Sequence, residues 1–379
     1  MNLSQRKKSS NVEKIFFSGK ILKMVEILVS FLGIIFLVLL HEFSHFLVAK
    51  KSNVKVLEFG VFLPPKIFKK RVGETEYSLN LIPLGGFVKL EGEEKPSEDE
   101  RSFSRAPLSK RMAIVLAGVI SFWVMSAILF SLIFSLGTEF SILDNEAAKN
   151  PKVQVLAVSK NSPAEKAGLK IKDYILGIKT PEGFYKVEKV ATLRELTKKF
   201  GGKEIVLVVE RERKVFETKV IPRENSTGGP LGVVVSRVDF KKYPFYLAPF
   251  YGAKETLSFT ARVLEGYAKA IKNFFLGKET GMRMVGPLGI FYFGKEALSE
   301  SFVNYLVFLA QIAVFLAIFN ALPLPGLDGG KFLFLLVEGI SKKKISEKWQ
   351  IRIEGAFLAF LISLACLATI SDIKMIFGK

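Results

Sequence analysis

Residues 24–49, 112–136, 302–325 and 351–370 are four predominantly apolar runs. Each is long enough to cross a bilayer as a helix, which takes about 20 residues. The second and fourth have almost no charge inside them, whereas the first holds His41, Glu42 and His45 and the third Asn304, Gln311 and Asn320. Polar groups at membrane depth are costly and mark function, so the first and third runs are expected to work as a pair. Between the runs the pattern changes. Glu74-Thr75-Glu76-Tyr77-Ser78-Leu79-Asn80-Leu81 alternates polar and apolar positions and stops before Pro83, the signature of a strand with a breaker behind it. Residues 138–240 show short strand patterns at 153–158, 205–210 and 214–221 and a helical one near 193–200. Leu247, Phe250, Leu257, Ala261, Leu264, Ala268, Ile271 and Phe275 recur at helical spacing, with Lys254, Glu255, Arg262 and Lys269 on the other face. That is an amphipathic helix, lying on the membrane interface or against the 138–240 domain.

These patterns divide the chain into a basic tail (1–23), a first span (24–49) and a loop with a re-entrant β-loop (50–111). A second span (112–136), an inserted domain (138–240) and an amphipathic helix with a loop (245–300) come next. A third span (302–325), a loop (326–350) and a fourth span (351–370) complete it. The expected fold is a polytopic α-helical membrane protein with four transmembrane helices, a membrane-associated β-loop and an inserted α+β domain.

Composition agrees with a chain of two characters. Hydrophobic residues make up 49% and charged residues 24%, with a mean hydropathy of +0.31. Neither a purely soluble nor a purely lipid-embedded protein combines these values. The net charge of +19 is concentrated beside the apolar runs, which points to lipid headgroups and away from nucleic acid. Between spans one and two lie 13 Lys and Arg residues, and between three and four a further 5, against 6 in the N-terminal tail. The positive-inside rule therefore puts both loops in the cytoplasm and residues 138–240 outside it. The basic N-terminus precedes a span too long, and too rich in polar chemistry, to be a discarded signal peptide. The single cysteine, Cys366, precludes an internal disulfide.

Both histidines of the chain fall in one word, His41-Glu42-Phe43-Ser44-His45, at the end of the first apolar run. Four residues apart on a helix, the two imidazoles share a face and can grip one zinc ion, with Glu42 placed to take a proton from the attacking water. At this composition the word arises by chance on the order of once in a thousand chains. Two histidines leave a catalytic zinc one protein ligand short. The third must be a carboxylate or Cys366. Spans one and three run in the same direction, so their C-terminal ends meet on one side, which brings Asp328 to the level of His41 and His45; Cys366 is at the far side. Asp328 is the expected ligand.

His41-Glu42-x-x-His45 followed by Asn320-x-x-Pro323-x-Pro325-x-Leu327-Asp328-Gly329 resembles the site-2 protease family of intramembrane zinc metalloproteases. The branch it is most similar to is the bacterial regulator of sigma-E protease. Asn80-Leu81-Ile82-Pro83-Leu84-Gly85-Gly86-Phe87 resembles that branch's membrane-re-entrant β-loop, Gly286-Pro287-Leu288-Gly289-Ile290 its loop before the third span, and Ser346-Glu347-Lys348 and Asp372-Ile373 the flanks of its last span. Ser162-Pro163-Ala164 through Leu169, with Asp173-Tyr174-Ile175, resembles the core of a PDZ domain, and Leu231-Gly232-Val233 its peptide-binding loop. The resemblance implies a Zn2+ enzyme of the bacterial inner membrane, with its PDZ domain extracytoplasmic. It implies that His41, His45 and Asp328 bind the metal and that Glu42 activates water. Its substrates would be single-span proteins, such as an anti-sigma factor or a remnant signal peptide. Asn320, Pro323 and Pro325 would contact the substrate, as would the edge strand holding Tyr77, Leu79 and Leu81. A peptide ligand for the PDZ domain and membrane lipid are the other implied partners. The alternatives are a catalytically silent PDZ scaffold or a homologue that processes a pro-sigma factor. Ser44 stands where the family has Gly, and Ala117-Gly118-Val119-Ile120-Ser121 where it has a Pro and an Asn after Ala-Gly.

Overall fold

A computed structural model describes residues 3–93, 95, 97–224, 229–280, 285–342 and 347–377. Ser346, named above at a span flank, lies outside the described residues. The chain divides into two compact units, Leu136–Tyr243 and the remainder.

In the larger unit the first helix, α1 (Leu3–Lys51), carries the first apolar run to the histidine word and ends at Lys50 and Lys51. Two long strands, β1 (Val56–Val72) and β2 (Thr75–Leu90), then form a hairpin. The strands double back on one another, so Glu58–Val61 pairs with Gly86–Lys89 on one side and with Glu76–Leu79 on the other. Glu76–Leu79 in turn pairs with Phe68–Arg71. The segment expected to be a free edge is therefore interior over Glu76–Leu79, with neighbours on both sides. Among the described residues, Gly86–Lys89 has a strand partner on one side only. Buried polar groups hold this curled sheet: Asn80 Nδ2 donates to the carbonyls of Val61 and Phe62, and Thr75 Oγ1 to that of Val56. The second helix, α2 (Leu108–Leu136), is the second span.

The smaller unit is a seven-stranded antiparallel sheet with two helices. In chain order its elements are β3 (Thr138–Ile142), β4 (Lys152–Val158), α3 (Pro163–Lys166), β5 (Tyr174–Thr180), β6 (Gly183–Lys186), α4 (Val190–Lys199), β7 (Ile205–Arg211), β8 (Lys214–Val220) and β9 (Val233–Lys241). The strands lie in the order β3-β9-β4-β5-β7-β8, with β6 on β5. Their inward residues, among them Val153, Val155, Ile175, Ile178, Leu207 and Val209, bury a core with Leu193 and Phe200. The period-two pattern of β4, β7 and β8 is what made those three strands legible.

The chain returns to the larger unit through α5 (Ala248–Phe275), α6 (Pro287–Glu300) and α7 (Phe302–Ala321), followed by α8 (Asp328–Ser341) and α9 (Glu347–Phe377). Residues 326–350, expected as a loop, thus hold a helix of 14 residues. Among the described residues four helices, Met24–Lys51, Leu108–Leu136, Phe302–Ala321 and Arg352–Ile376, are long and apolar enough to cross a membrane. Small residues set their packing, as expected where lipid leaves little hydrophobic drive. A Cβ on Gly33 would overlap the Tyr305 hydroxyl, which itself donates to the Val29 carbonyl at 2.8 Å. Gly252, Thr256 and Thr260 of α5 face Ser131, Ser126 and Trp123 of α2. The amphipathic helix therefore packs by its small polar face and leaves Phe250, Leu257 and Ile271 exposed. Asp372 of α9 accepts from the amides of Gly286 and Gly289, a carboxylate cap on the first turn of α6.

Candidate metal centre

His41 and His45 project from one face of α1, and Asp328 is the first residue of α8. The turn that presents Asp328 depends on its neighbours. Pro323 lacks the amide that would continue α7, which ends at Ala321, and Gly326 takes φ +83. A Cβ on Gly329 would overlap the Leu322 carbonyl oxygen, and one on Gly330 the Leu324 carbonyl oxygen. The two glycines let α8 start against the end of α7, bringing Asp328 back to the histidines.

His41 Nε2 and His45 Nε2 are 3.3 Å apart, and Asp328 Oδ2 lies 3.4 Å from the first and 3.3 Å from the second. A tetrahedral site with ligand bonds of about 2.0–2.1 Å has edges of about 3.3–3.4 Å. The fit extends to the hydrogen-bonding state. His45 Nδ1 is 2.8 Å from the Ile114 carbonyl oxygen, which only accepts, so Nδ1 carries the proton and neutral Nε2 presents a lone pair. Asp328 Oδ2 is buried with no hydrogen-bond partner among the described residues. A buried carboxylate oxygen without a hydrogen-bond partner, at tetrahedral-edge distance from two imidazole nitrogens, fits a cation, and these three side chains can hold a zinc ion.

The second span supplies no side-chain ligand yet shapes the site. Gly118 lies against both imidazoles: a Cβ there would overlap His45 Nε2 and stand 2.5 Å from His41 Cε1. Phe122 stacks on the His41 ring, centroids 4.5 Å apart and planes 17° from parallel. Ile114, Gly118 and Phe122 share one face of α2. The unusual Ala117-Gly118-Val119-Ile120-Ser121 sequence thus brings a missing side chain to the site, and Ile114, one turn earlier, a main-chain carbonyl. Those carry no residue-type signal that a search for ligands would find.

Glu42 sits where the hairpin meets α1. A Cβ on Gly86 would lie 2.8 Å from Leu39 Cδ2 and 3.7 Å from Glu42 Cγ, so the one-sided strand of the hairpin runs beside the proposed base. Lys331, one turn beyond Asp328, is paired with Glu93 at 2.7 Å, and the Glu93 charge holds its ammonium above the usual lysine range. Asn320 donates through Nδ2 to the Leu316 carbonyl of its own helix. Tyr77, Leu79 and Leu81 have exposed side chains, but the backbone of the first two is committed to strand pairing. Leu231, Gly232 and Val233 belong to the smaller unit; Gly232 has φ +71, and a Cβ on it would lie 2.5 Å from Ser162 Cβ.

The sequence is similar to proteins named "putative zinc metalloprotease" from several bacteria. One from Clostridium perfringens is 31% identical over 89% of this chain and 95% of its own length. One from Nostoc is 29% identical over 89% of this chain and 92% of its own. One from Campylobacter jejuni is 28% identical over 94% of this chain and 95% of its own. The sequence profile of peptidase family M50 matches residues 29–364, nearly the whole chain. With the geometry of His41, His45 and Asp328, this coverage makes the chain a member of peptidase family M50, the site-2 type of zinc metalloprotease.

Proposed function

We propose that this enzyme is an intramembrane endopeptidase that cuts single-span membrane proteins, with zinc held by His41, His45 and Asp328. The observation that carries the proposal is the triangle of His41 Nε2, His45 Nε2 and Asp328 Oδ2, with sides of 3.3–3.4 Å, whose two histidines lie on a helix apolar enough to span a membrane. Zinc held by His41, His45 and Asp328 would supply Lewis-acid chemistry, polarising a carbonyl and lowering the pKa of water. Glu42 is the group that would accept a proton from the attacking water and return it to the leaving amide nitrogen.

A membrane substrate arrives as a helix whose carbonyls are already hydrogen-bonded, and unwinding it in lipid leaves each freed group unpaired at a cost of several kcal/mol. Strand addition restores those bonds. Gly86–Lys89, paired on one side and adjacent to Glu42, suits this role in place of the interior segment Glu76–Leu79. Tyr77, Leu79 and Leu81 then contribute side-chain contacts only. Asn320 Oδ1 accepts from the substrate backbone, and Pro323 and Pro325 keep the end of α7 unwound beside it.

The smaller unit acts as a PDZ domain. Among the described residues, strand β9 pairs over Val233–Ser236 with β4 alone, because β3 begins pairing only at Arg237. A peptide can add there beside the Leu231-Gly232-Val233 turn. The charge distribution supports a bacterial cytoplasmic membrane, with the hairpin inside and this domain outside. Substrates would then be shortened proteins with a small external stump, such as a trimmed anti-sigma factor or a remnant signal peptide.

Glu42→Gln tests the assignment, since the amide keeps the shape and cannot take the proton. The purified variant should hold one zinc per chain, trap single-span substrate and cut it at least about a hundredfold more slowly. Cutting at the wild-type rate would remove Glu42 from the mechanism.

A further inference from the structure

Helix α8 carries the proposed third ligand, yet beyond its two glycines only Leu335 is buried. Apolar packing does little to fix its direction. Besides the Lys331–Glu93 pair, a forked ion pair ties its far end to α2: Arg111 Nη1 and Nη2 donate to Glu338 Oε2 and Oε1 at 2.9 and 2.7 Å. Both side chains are largely shielded, at 9% and 19% exposure. Arg111 is further held by its Nε, which donates to the Ala106 carbonyl at 3.1 Å. A Cβ on Gly339 would stand 2.7 Å from Leu108, so α8 approaches the start of α2 closely at this point. Glu338 is ten residues from Asp328, about 15 Å along the helix.

Arg111 belongs to the same face of α2 as Ile114, Gly118 and Phe122, which hold the two histidines. One face of one helix thus touches both ligand-bearing elements: α1 through a carbonyl, a glycine and a ring, and α8 through a guanidinium. We propose that Arg111 and Glu338 are positioning residues for the metal site, fixing α8 so that Asp328 stays within 3.4 Å of both imidazoles. Arg111 suits the task because its planar fork sets direction as well as distance, which a lysine point charge does not. This inference rests on the zinc-site reading above.

The experiment measures zinc retention against a competing chelator, at a temperature where circular dichroism shows each purified variant folded. Glu338→Gln and Arg111→Glu should each lose affinity by about tenfold or more, the range for groups that orient metal ligands. Arg111→Lys, which keeps the charge and loses the fork, should fall between these and wild type. The exchange Arg111→Glu with Glu338→Arg should recover most of the loss, and its recovery decides the matter if either single variant fails to fold. Glu74→Gln is the matched control: it breaks another forked arginine pair, Arg101 with Glu74 at 2.7 and 2.8 Å, that does not touch α8. It should leave zinc affinity unchanged. Wild-type affinity in folded Glu338→Gln, or an exchange variant no better than the single ones, overturns the positioning role while the zinc site stands. A wild-type protein that takes up no zinc overturns both.

Discussion

Gly118 and His45 are in direct contact across two spans, so close that a methyl group on the glycine would overlap the imidazole Nε2. Backbone of α2 cannot move away cheaply, because the Ile114 carbonyl of the same helix holds the other nitrogen of that ring. Gly118→Ala should therefore turn His45, and His41 with it, out of the triangle. Zinc affinity should fall about 10–100-fold with cleavage, while helix content is unchanged. Full zinc occupancy in the variant at sub-stoichiometric chelator would mean that the rings have room to spare.

A second prediction concerns acid. Arg101 and Lys50 beside Glu74 hold its carboxyl at about 2, against an ordinary 4.5. A depressed pKa contributes stability that is complete above about 4.5 and is lost as pH falls toward 2. The group is partly exposed, so solvent screening reduces the contribution to about 1 kcal/mol. Glu74→Gln should lower the midpoint of thermal unfolding at pH 7 by a few degrees, and the gap should close as pH approaches 2. A gap that widens in acid would reverse the sign.

The four spans were legible because length and apolarity alone decide whether a helix can cross a bilayer, and His41, Glu42 and His45 because their spacing has one geometric meaning on a helix. Asp328 followed from the parity of the spans. What escaped has physical reasons. Helix α8 was hidden behind Gly329 and Gly330, poor helix formers that read as a turn and are there to let backbones approach. The alternation of residues 74–81 identifies a strand but cannot count its neighbours, so an interior segment passed for an edge. The contribution of α2 rests on the carbonyl of Ile114 and the absent side chain of Gly118. The apolar face of α5 was visible, but contact with α2 uses a different face, that of Gly252 and Thr256.

Orientation is open to a direct measurement. With Cys366, an exposed thiol, replaced by Ala, a single cysteine at Lys66 in the hairpin should resist a membrane-impermeant thiol reagent in intact cells. One at Lys198 in α4 should react. The opposite pattern would put the hairpin and its basic residues outside, against the charge distribution, and the smaller unit among cytoplasmic ligands.

The last prediction separates the strand paired on one side from the interior of the hairpin. Adjacent residues of a strand point their amides in opposite directions, so of Phe87 and Val88 one donates to Glu58–Val61 and the other faces away. Proline removes an amide donor. At the inward position it should disrupt the sheet. At the outward position the sheet should persist and only the bond offered to an added strand should be lost. Phe87→Pro and Val88→Pro should therefore part company: one unstable to proteolysis, the other folded and zinc-loaded but slower by about tenfold or more on a single-span substrate, for roughly 1.4 kcal/mol lost in the transition state. Tyr77→Pro, where both sides of the backbone have strand neighbours, should behave like the unstable member. If both edge variants fold and cut at the wild-type rate, strand addition at Gly86–Lys89 plays no part in catalysis, and the substrate is unwound by other contacts around Asn320 and Pro323.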